Sequence, residues 1–428
     1  MANEPRLTAV RGLEMLFATI VVLMMSNALI GPLLDPKQTG GDAIPVLRLI
    51  WLPVYAVVAG LALLRWRDLA RHWAPALAFA LLVGWAFLSS YWSIEPGVTF
   101  RRSIAVAAAT LFGVYLTASY NGRSLAELLA GSFLVLALGS YFVCLAMPSL
   151  GVHADVNAGA WRGLWYEKNQ MGAMMVYGAV SATAAMILSP PRRWLWALTF
   201  VACAGLVIMT RSATSLLALL LVGAGAMTLL IMRRGPATTV AIVWLGVTAL
   251  GALAMAYLVA PDMFFAALGK DPSLTGRTDI WAAVLRAYRD RPLLGYGYGA
   301  FWGPHSAPAE WIRAQLQWVV PTAHNGWLDL LIQLGEIGVA LFGLIFALAL
   351  GAAVGRHAKV QDGYWSTLFV AVFALSLFSE SFILVQNSLP WVLAVTAITR
   401  LLGPVPAIAR RSAAAAFAGG QTRMPSPA

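Results

Sequence analysis

Residues 323–351 read AHNGWLDLLIQLGEIGVALFGLIFALALG, a short polar opening followed by a long hydrophobic stretch. A helix needs roughly 20 apolar residues to cross a bilayer, and this stretch supplies them. The whole chain of 428 residues is 60% hydrophobic and 11% charged, with a mean hydropathy of +0.76. This composition predicts an all-α polytopic membrane protein. His324 and Asp329 stand out in it, because ionisable side chains at a membrane boundary are costly unless they are paired or functional.

Hydrophobic stretches of spanning length recur along the chain and predict about twelve transmembrane helices. They are 14–34, 44–64, 74–92, 98–119, 125–147, 169–188, 194–210, 213–232, 237–260, 323–351, 365–383 and 385–403. The first nine spans make a membrane bundle over 1–260, and the last three complete it over 323–403. A large helical loop over 261–322 precedes the third-last span, and the composition of residues 404–428 predicts a disordered tail.

The basic residues of the short loops predict the orientation of the chain. With the N terminus in the cytoplasm, Arg6, Arg11 and the arginines that follow spans 2, 4, 6, 8 and 10 lie on the cytoplasmic side, as the positive-inside rule requires. Both termini are then cytoplasmic and the loop 261–322 is periplasmic. The net charge of +11 is explained by loop arginines beside anionic lipid and needs no nucleic acid. The sequence has no Walker loop, which argues against an ATP-driven pump with its own motor.

The external loop carries three helix or turn signals. Residues 278–289 predict a helix with Thr278 as its N-cap, which would place Arg277 beside an anion-binding helix N terminus. The glycine-rich stretch 295–302 carries Tyr296, Tyr298 and Trp302, which suit either packing or a wall that stacks on sugar rings. Residues 309–319 predict a short helix in the membrane interface.

Five short motifs, taken in order, resemble those of the O-antigen ligase/polymerase family, and most closely its exopolysaccharide polymerase branch. They are 91–96 (YWSIEP), 161–164 (WRGL) leading into 168–170 (KNQ), 276–281 (GRTDIW), 295–297 (GYG) and 324–325 (HN). The similarity extends over about 90–390 and includes the large external loop. One departure is Glu167, where the family commonly has a histidine before Lys-Asn.

The resemblance implies a metal-independent, inverting glycosyltransferase of the bacterial inner membrane, without a cofactor. Its donor would be a glycan on undecaprenyl pyrophosphate at the periplasmic face, and its acceptor a second glycan or a lipid A–core sugar. Other polysaccharide assembly proteins are expected as partners. The polymerase would serve exopolysaccharide or O-antigen synthesis, whereas a ligase would complete lipopolysaccharide.

The family pattern assigns roles to particular residues. His324 would activate the acceptor hydroxyl, and an imidazole with an unperturbed pKa near ambient pH suits a general base. Arg211 and Arg277 would hold the pyrophosphate leaving group, because guanidinium groups bind phosphate oxygens in a bidentate manner. Arg162 and Lys168 could line the same pocket from the loop 148–168.

The remaining ionisable residues receive no catalytic role from the sequence. Asp329 and Glu336 follow His324 by five and twelve residues, spacings that do not align either well with it on a helix. His72, His153, His305 and His357 read as loop residues.

Two other classes of protein remain open at this point. The span count and the arginines also fit a transporter or flippase of lipid-linked substrates, although the sequence shows no matching halves. A non-catalytic assembly partner is the third reading, which would not need His324 together with Arg211 and Arg277.

Overall fold

The computed structural model describes residues 9–29, 32–33, 45–154, 157–232, 277–317, 319–356 and 363–404, with isolated residues between 234 and 248. The α-helices of the first half are α1 (Ala9–Met25), α2 (Pro45–Leu64), α3 (Trp66–Ala70), α4 (Trp73–Leu88), α5 (Pro96–Ser119), α6 (Gly122–Ala146), α7 (Pro148–Gly151), α8 (Lys168–Leu188), α9 (Arg193–Met209) and α10 (Ala213–Met232). Those of the second half are α11 (Arg277–Tyr288), α12 (Ala307–Leu316), α13 (Gly326–Arg356), α14 (Tyr364–Ser376) and α15 (Leu389–Leu402). The predicted all-α class is thus confirmed over these ranges.

Six of the described helices are long and apolar enough to cross a membrane: α4, α5, α6, α8, α9 and α13. Shorter apolar helices occur within α2, α10, α14 and α15. These elements coincide with predicted spans, while the count of twelve and the orientation stay predictions. The ninth predicted span, most of 261–276 and the tail lie outside the described residues.

The helices pack around one continuous apolar core. Helix α8 is its centre, because fifteen of its residues are buried and it contacts α6, α9, α10 and α14. Long runs of alanine, glycine and methionine on α8 allow this all-round burial, since small and unbranched side chains let neighbouring helices approach closely. The charged and amide side chains of α8, which are Lys168, Asn169 and Gln170, all lie at its start.

Helix α13 is interrupted at Gly335, whose φ of 66° and ψ of −170° are not helical. The break releases backbone groups that the helix would otherwise pair, and the glycine-rich loop pairs them instead. The N–H groups of Tyr296 and Gly297 donate to the carbonyls of Ile332 and Gln333 at 3.0 and 2.9 Å. In return, the N–H of Glu336 donates to the carbonyl of Pro292 at 2.9 Å. The loop therefore serves to complete a broken helix.

The external helices form a second, smaller apolar cluster with the start of α13. Ile280, Val284, Ile312 and Ile332 are members of it. Ala309 and Ile312 of α12 are buried against protein, whereas Trp311 and Val319 are 50% and 76% exposed, and the location of this segment in the membrane interface stays a prediction. Thr278 lies inside α11, which already includes Arg277, and so the prediction of Thr278 as N-cap was wrong.

Helices α14 and α15 are shorter than the predicted spans 365–383 and 385–403, because residues 377–388 are not helical. This connecting segment is buried: Leu377 and Leu384 are 0% and 2% exposed. Its polar groups pair with the surrounding helices, since Tyr298 donates to the carbonyl of Leu384 and Tyr55 donates to the Asn387 side chain at 2.6 Å. Irregular backbone at membrane depth is tolerated where protein encloses it or where it lines a water-filled cavity.

The first prediction concerns Gly335. A Cβ atom there would lie 2.1 Å from the carbonyl oxygen of Leu293, and the backbone conformation favours glycine. We expect Gly335→Ala to destabilise the protein by about 1–3 kcal/mol for the backbone alone. Gly343→Ala is the matched control on the same helix, because the Cβ there would be 4.0 Å from its nearest neighbour, Trp327. Thermal unfolding of both proteins in detergent tests this, and equal midpoints would contradict the role given to Gly335.

Candidate functional site

His324 is held in a left-handed turn directly before α13. Its φ is 49°, and its N–H donates to Thr322 Oγ1 at 3.3 Å. The next residue caps the helix, because Asn325 Oδ1 accepts from the N–H groups of Trp327 and Leu328 at 3.0 and 3.2 Å. The turn keeps the imidazole outside the helix and half-buried.

Asp329 fixes the same turn from one helical turn further on. Its buried carboxylate accepts from the N–H of Ala323 at 3.1 Å, from Trp302 Nε1 at 2.5 Å and from the Ser381 hydroxyl. The sequence spacing does not align Asp329 with His324 on one face of a helix, but His324 lies outside the helix. The backbone turn brings the carboxylate to the residue that precedes His324, and three separate segments meet on it.

Helix α11 brings Arg277 to this turn. The indole of Trp281, one turn after Arg277, donates to the carbonyl of Ala323 at 2.9 Å. Arg277 itself pairs with Glu380, with Nη2 and Oε1 separated by 3.9 Å and side chains only 19% and 17% exposed. The N–H of Gly326 donates to the carbonyl of Leu377 at 2.8 Å, which ties the start of α13 to the segment that carries Glu380.

Sequence analysis missed Glu380 because it lies within a stretch interpreted as the end of a span. The signal was present, since Ser379, Glu380 and Ser381 interrupt the apolar residues, and an acid there is as costly as His324. Two of these side chains now have partners that explain their presence: Glu380 pairs with Arg277, and Ser381 donates to Asp329.

The environment shifts the pKa of His324, which lies in the turn before α13. Burial, with a contribution from the Arg277 charge, lowers the pKa of His324 to about 4. The expectation of an unperturbed imidazole was therefore wrong: His324 is neutral at ambient pH.

A cleft beside Glu380 joins the ends of three further helices. Its polar walls come from Asn169, Ser212, Ser215, Ser376 and Ser379. Because Asn169 lies in the first turn of α8 and Ser212 precedes α10, the cleft brings the motif 168–170 and the turn that carries Arg211 to the same end of the bundle as Arg277.

Arg211 is exposed and sits next to this cleft, in a turn between α9 and α10. Its φ is 52°, and Nη1 lies 3.5 Å from the carbonyl oxygen of Ala158. The neighbouring Ser212 lines the cleft itself. Arg211 is thus near the cleft but not among the residues that contact Glu380 in the described structure.

Arg162 lies on a different cavity. Its guanidinium donates to the carbonyls of Leu150 and Ser149 at 2.8 and 3.4 Å. The cavity that it lines is otherwise formed by apolar residues such as Leu29, Leu33 and Trp165. The structure therefore separates Arg162 from the pocket that sequence analysis gave it in common with Arg277.

Lys168 is the first residue of α8, and its N–H donates to His153 Nε2 at 3.3 Å. The same imidazole nitrogen is 3.8 Å from a carboxylate oxygen of Glu167. His153, to which the sequence assigned nothing, is 4% exposed. An imidazole thus lies against the Lys-Asn segment even though Glu167 replaces the histidine of the family pattern.

The aromatic residues of the glycine-rich loop pack inside the protein. Tyr296 and Tyr298 are 5% and 3% exposed, so they cannot form a wall for sugar rings. The half-buried Trp302 is held by its hydrogen bond to Asp329. Within the described residues there is no group of three or more His, Cys, Asp or Glu side chains that could hold a metal ion.

The sequence is similar to those of known proteins. Residues 198–343 match the family model described as O-antigen ligase, a segment that contains Arg211, Arg277 and His324. The exopolysaccharide production protein ExoQ of Rhizobium meliloti (strain 1021) is 26% identical over 356 residues, which cover 80% of this chain and 78% of that protein. The resemblance to the O-antigen ligase/polymerase family is confirmed.

Proposed function

We propose that the protein is a glycosyltransferase that transfers a glycan from undecaprenyl pyrophosphate to an acceptor hydroxyl at the periplasmic face of the inner membrane. The observation that carries the proposal is the meeting of His324, Arg277 and Glu380 at one end of the helical bundle, with the first two inside the family match. Ionisable groups gathered at one end suit an enzyme open to one side better than a transporter, which needs a site near the midplane.

The reaction would be a direct displacement with inversion. The acceptor oxygen forms a bond to the anomeric carbon while the bond from that carbon to the pyrophosphate oxygen breaks. The acceptor proton passes to the neutral imidazole of His324, and the lipid pyrophosphate leaves with the electron pair. Negative charge develops on the leaving oxygens, where Arg277 and the nearby Arg211 would stabilise it without a metal ion.

Glu380 would orient Arg277 for that task. The carboxylate pairs with Nη2 across 3.9 Å, and a guanidinium offers five N–H donors in one plane. A carboxylate that pairs with one edge of the guanidinium fixes the orientation of the group, so that the N–H donors of the other edges can bind phosphate oxygens. Asp329 would act in the same indirect way on His324, through the backbone N–H of Ala323.

Donor binding would also strengthen the base. An imidazole whose pKa is about 4 is a weak proton acceptor, and the lowering comes from burial and from the charge of Arg277. A bound pyrophosphate neutralises that charge and adds negative charge nearby, which raises the pKa of His324. The base is then strongest when the donor is present.

The pH dependence of the rate tests this coupling. We expect the His324 limb of kcat/KM, which reports the free enzyme, near pH 4, and the corresponding limb of kcat at a higher pH. Coincident limbs for kcat and kcat/KM at the ordinary histidine pKa would contradict a buried base tuned by Arg277.

Removal of the imidazole tests the catalytic role directly. His324→Ala should fold and insert normally yet transfer glycan roughly 10²- to 10⁴-fold more slowly, the range expected for a general base. His305→Ala is the matched control, since His305 is an exposed histidine of the same external region. Transfer by purified protein from a lipid pyrophosphate donor, without nucleotide sugar, is the measurement. Near-normal turnover of His324→Ala would leave the residue a structural role only.

The acceptor decides between a polymerase and a ligase. The name of the ExoQ relative refers to exopolysaccharide production and favours a polymerase, whereas the matched family model is described as O-antigen ligase. We propose polymerisation, in which both substrates are lipid-linked and the product stays on lipid.

Purified protein supplied only with lipid-linked repeat units should therefore make a ladder of longer products. Deletion of the protein should likewise abolish long polysaccharide and leave single units on the carrier lipid. The absence of a ladder, together with efficient transfer once lipid A–core is added, would establish the ligase reading instead.

A further inference from the structure

One large aromatic side chain of the external region faces outward. Trp311 on α12 is 50% exposed, in contrast to the buried tyrosines of the glycine-rich loop. Neither the family resemblance nor the site around His324 gives this residue a role. A single exposed apolar residue needs no explanation by itself, so any role for Trp311 must come from the residues that surround it.

The ring of Trp311 is held in place by polar neighbours. The Arg286 guanidinium carbon lies 5.2 Å from the ring centroid, and Arg286 Nη2 donates to Gln315 Oε1 at 3.0 Å. Gln315 follows Trp311 by four residues and so lies on the same face of α12. An aromatic face, a guanidinium and an amide are thus fixed beside one another before any ligand arrives.

Polar residues lie beside Trp311 on the exposed side of α12. They are Glu310 and Gln315, while Ala309 and Ile312 are fully buried. A helix that lies in a membrane interface presents a broad apolar face to lipid. Here two apolar residues of α12 are buried inside the protein, and the exposed apolar side chains of the region include Leu285 and Val319 in addition to the ring of Trp311.

We propose that Trp311, Arg286 and Gln315 form a binding platform for the glycan portion of the substrates. The inference rests on the proposed function. A sugar ring combines an apolar C–H face with hydroxyl groups at its rim, and an indole ring presents a large flat apolar surface of matching kind. The guanidinium and the amide supply donors and an acceptor for the hydroxyl groups.

The platform lies at a defined distance from the reacting centre. Arg286 follows Arg277 by nine residues on α11, which corresponds to about 14 Å along the helix axis. A sugar bound there is separated from the pyrophosphate by several bonds and belongs to the distal part of the glycan. Binding energy from such a remote part can position the reacting carbon or hydroxyl.

Substitutions of Trp311 separate a sugar platform from other roles. We expect Trp311→Ala to lower kcat/KM roughly tenfold for lipid-linked glycans of several repeat units, an effect typical of losing an aromatic anchor, and to lower it less for single units. The ladder of products should shorten accordingly. Trp311→Phe retains a ring and should restore most of the loss, whereas Trp311→Leu retains only hydrophobicity and should not.

Control substitutions distinguish a sugar platform from contact with the bilayer and from a structural role. Val319→Ser removes an apolar side chain that is 76% exposed in the same region, and it should leave the length dependence unchanged. Equal rescue by Trp311→Leu and Trp311→Phe would overturn the platform in favour of contact with the bilayer. An equal loss for short and long glycans would overturn it in favour of a structural role.

Binding without turnover keeps this test independent of the proposed transfer reaction. Repeat-unit oligosaccharide, released from the cell's own polysaccharide by mild acid, should bind the full-length wild-type protein about tenfold more tightly than Trp311→Ala. Binding that differs in this way in a protein with no transferase activity would refute the proposed function and keep the platform. Equal affinities would refute the platform whatever the activity.

Discussion

Backbone N–H and C=O groups inside a bilayer find no water, so the protein itself must pair every one of them. Continuous helices meet this requirement without help, but a catalytic pocket at membrane depth requires a departure from them. This chain departs at Gly335 and at residues 377–388, and in both places other segments take over the pairing. The glycine-rich loop supplies donors to α13, and Tyr298, Tyr55 and Gly326 pair with the irregular segment. The glycine-rich loop is therefore a structural consequence of the break.

The low dielectric constant of the protein interior explains why the ionisable groups of the candidate site occur together. A solitary buried charge is expensive, whereas Arg277 and Glu380 offset part of each other's cost. His324 meets the same penalty by staying neutral, which leaves its lone pair available for a proton. A guanidinium in such surroundings also interacts more strongly with phosphate than it would in water. In the proposed mechanism, burial thus weakens His324 as a base in the free protein and strengthens the attraction of Arg277 for phosphate.

The sequence predicted the helices well and the site in part. Hydrophobic runs located the membrane helices closely, because apolar length is a strong signal, and Arg277 and His324 were chosen from motifs that the structure brings together. Glu380, Asp329 and His153 were missed because their importance depends on contacts over long sequence separations, which periodicity does not encode. Tyr296 and Tyr298 show the opposite failure. Alternating glycine and aromatic residues are typical of a surface loop. In the structure, this loop is buried because it pairs with the backbone groups that the break at Gly335 leaves free, and the sequence around Gly335 does not predict the break.

Helix α11 contacts both the segment between the last two membrane helices and the exposed surface of the external region. Arg277 at its start reaches Glu380 in the segment between the membrane helices, Trp281 holds the turn before His324, and Arg286 near its end carries the contact with Trp311. Successive residues of a helix are rotated by about 100°, so a slip of one residue would break all three contacts together. The external region is therefore not a detachable lid. It supplies one wall of the candidate site, and its register relative to the membrane helices is set by the side chains of Arg277 and Trp281, which contact Glu380 and the turn before His324.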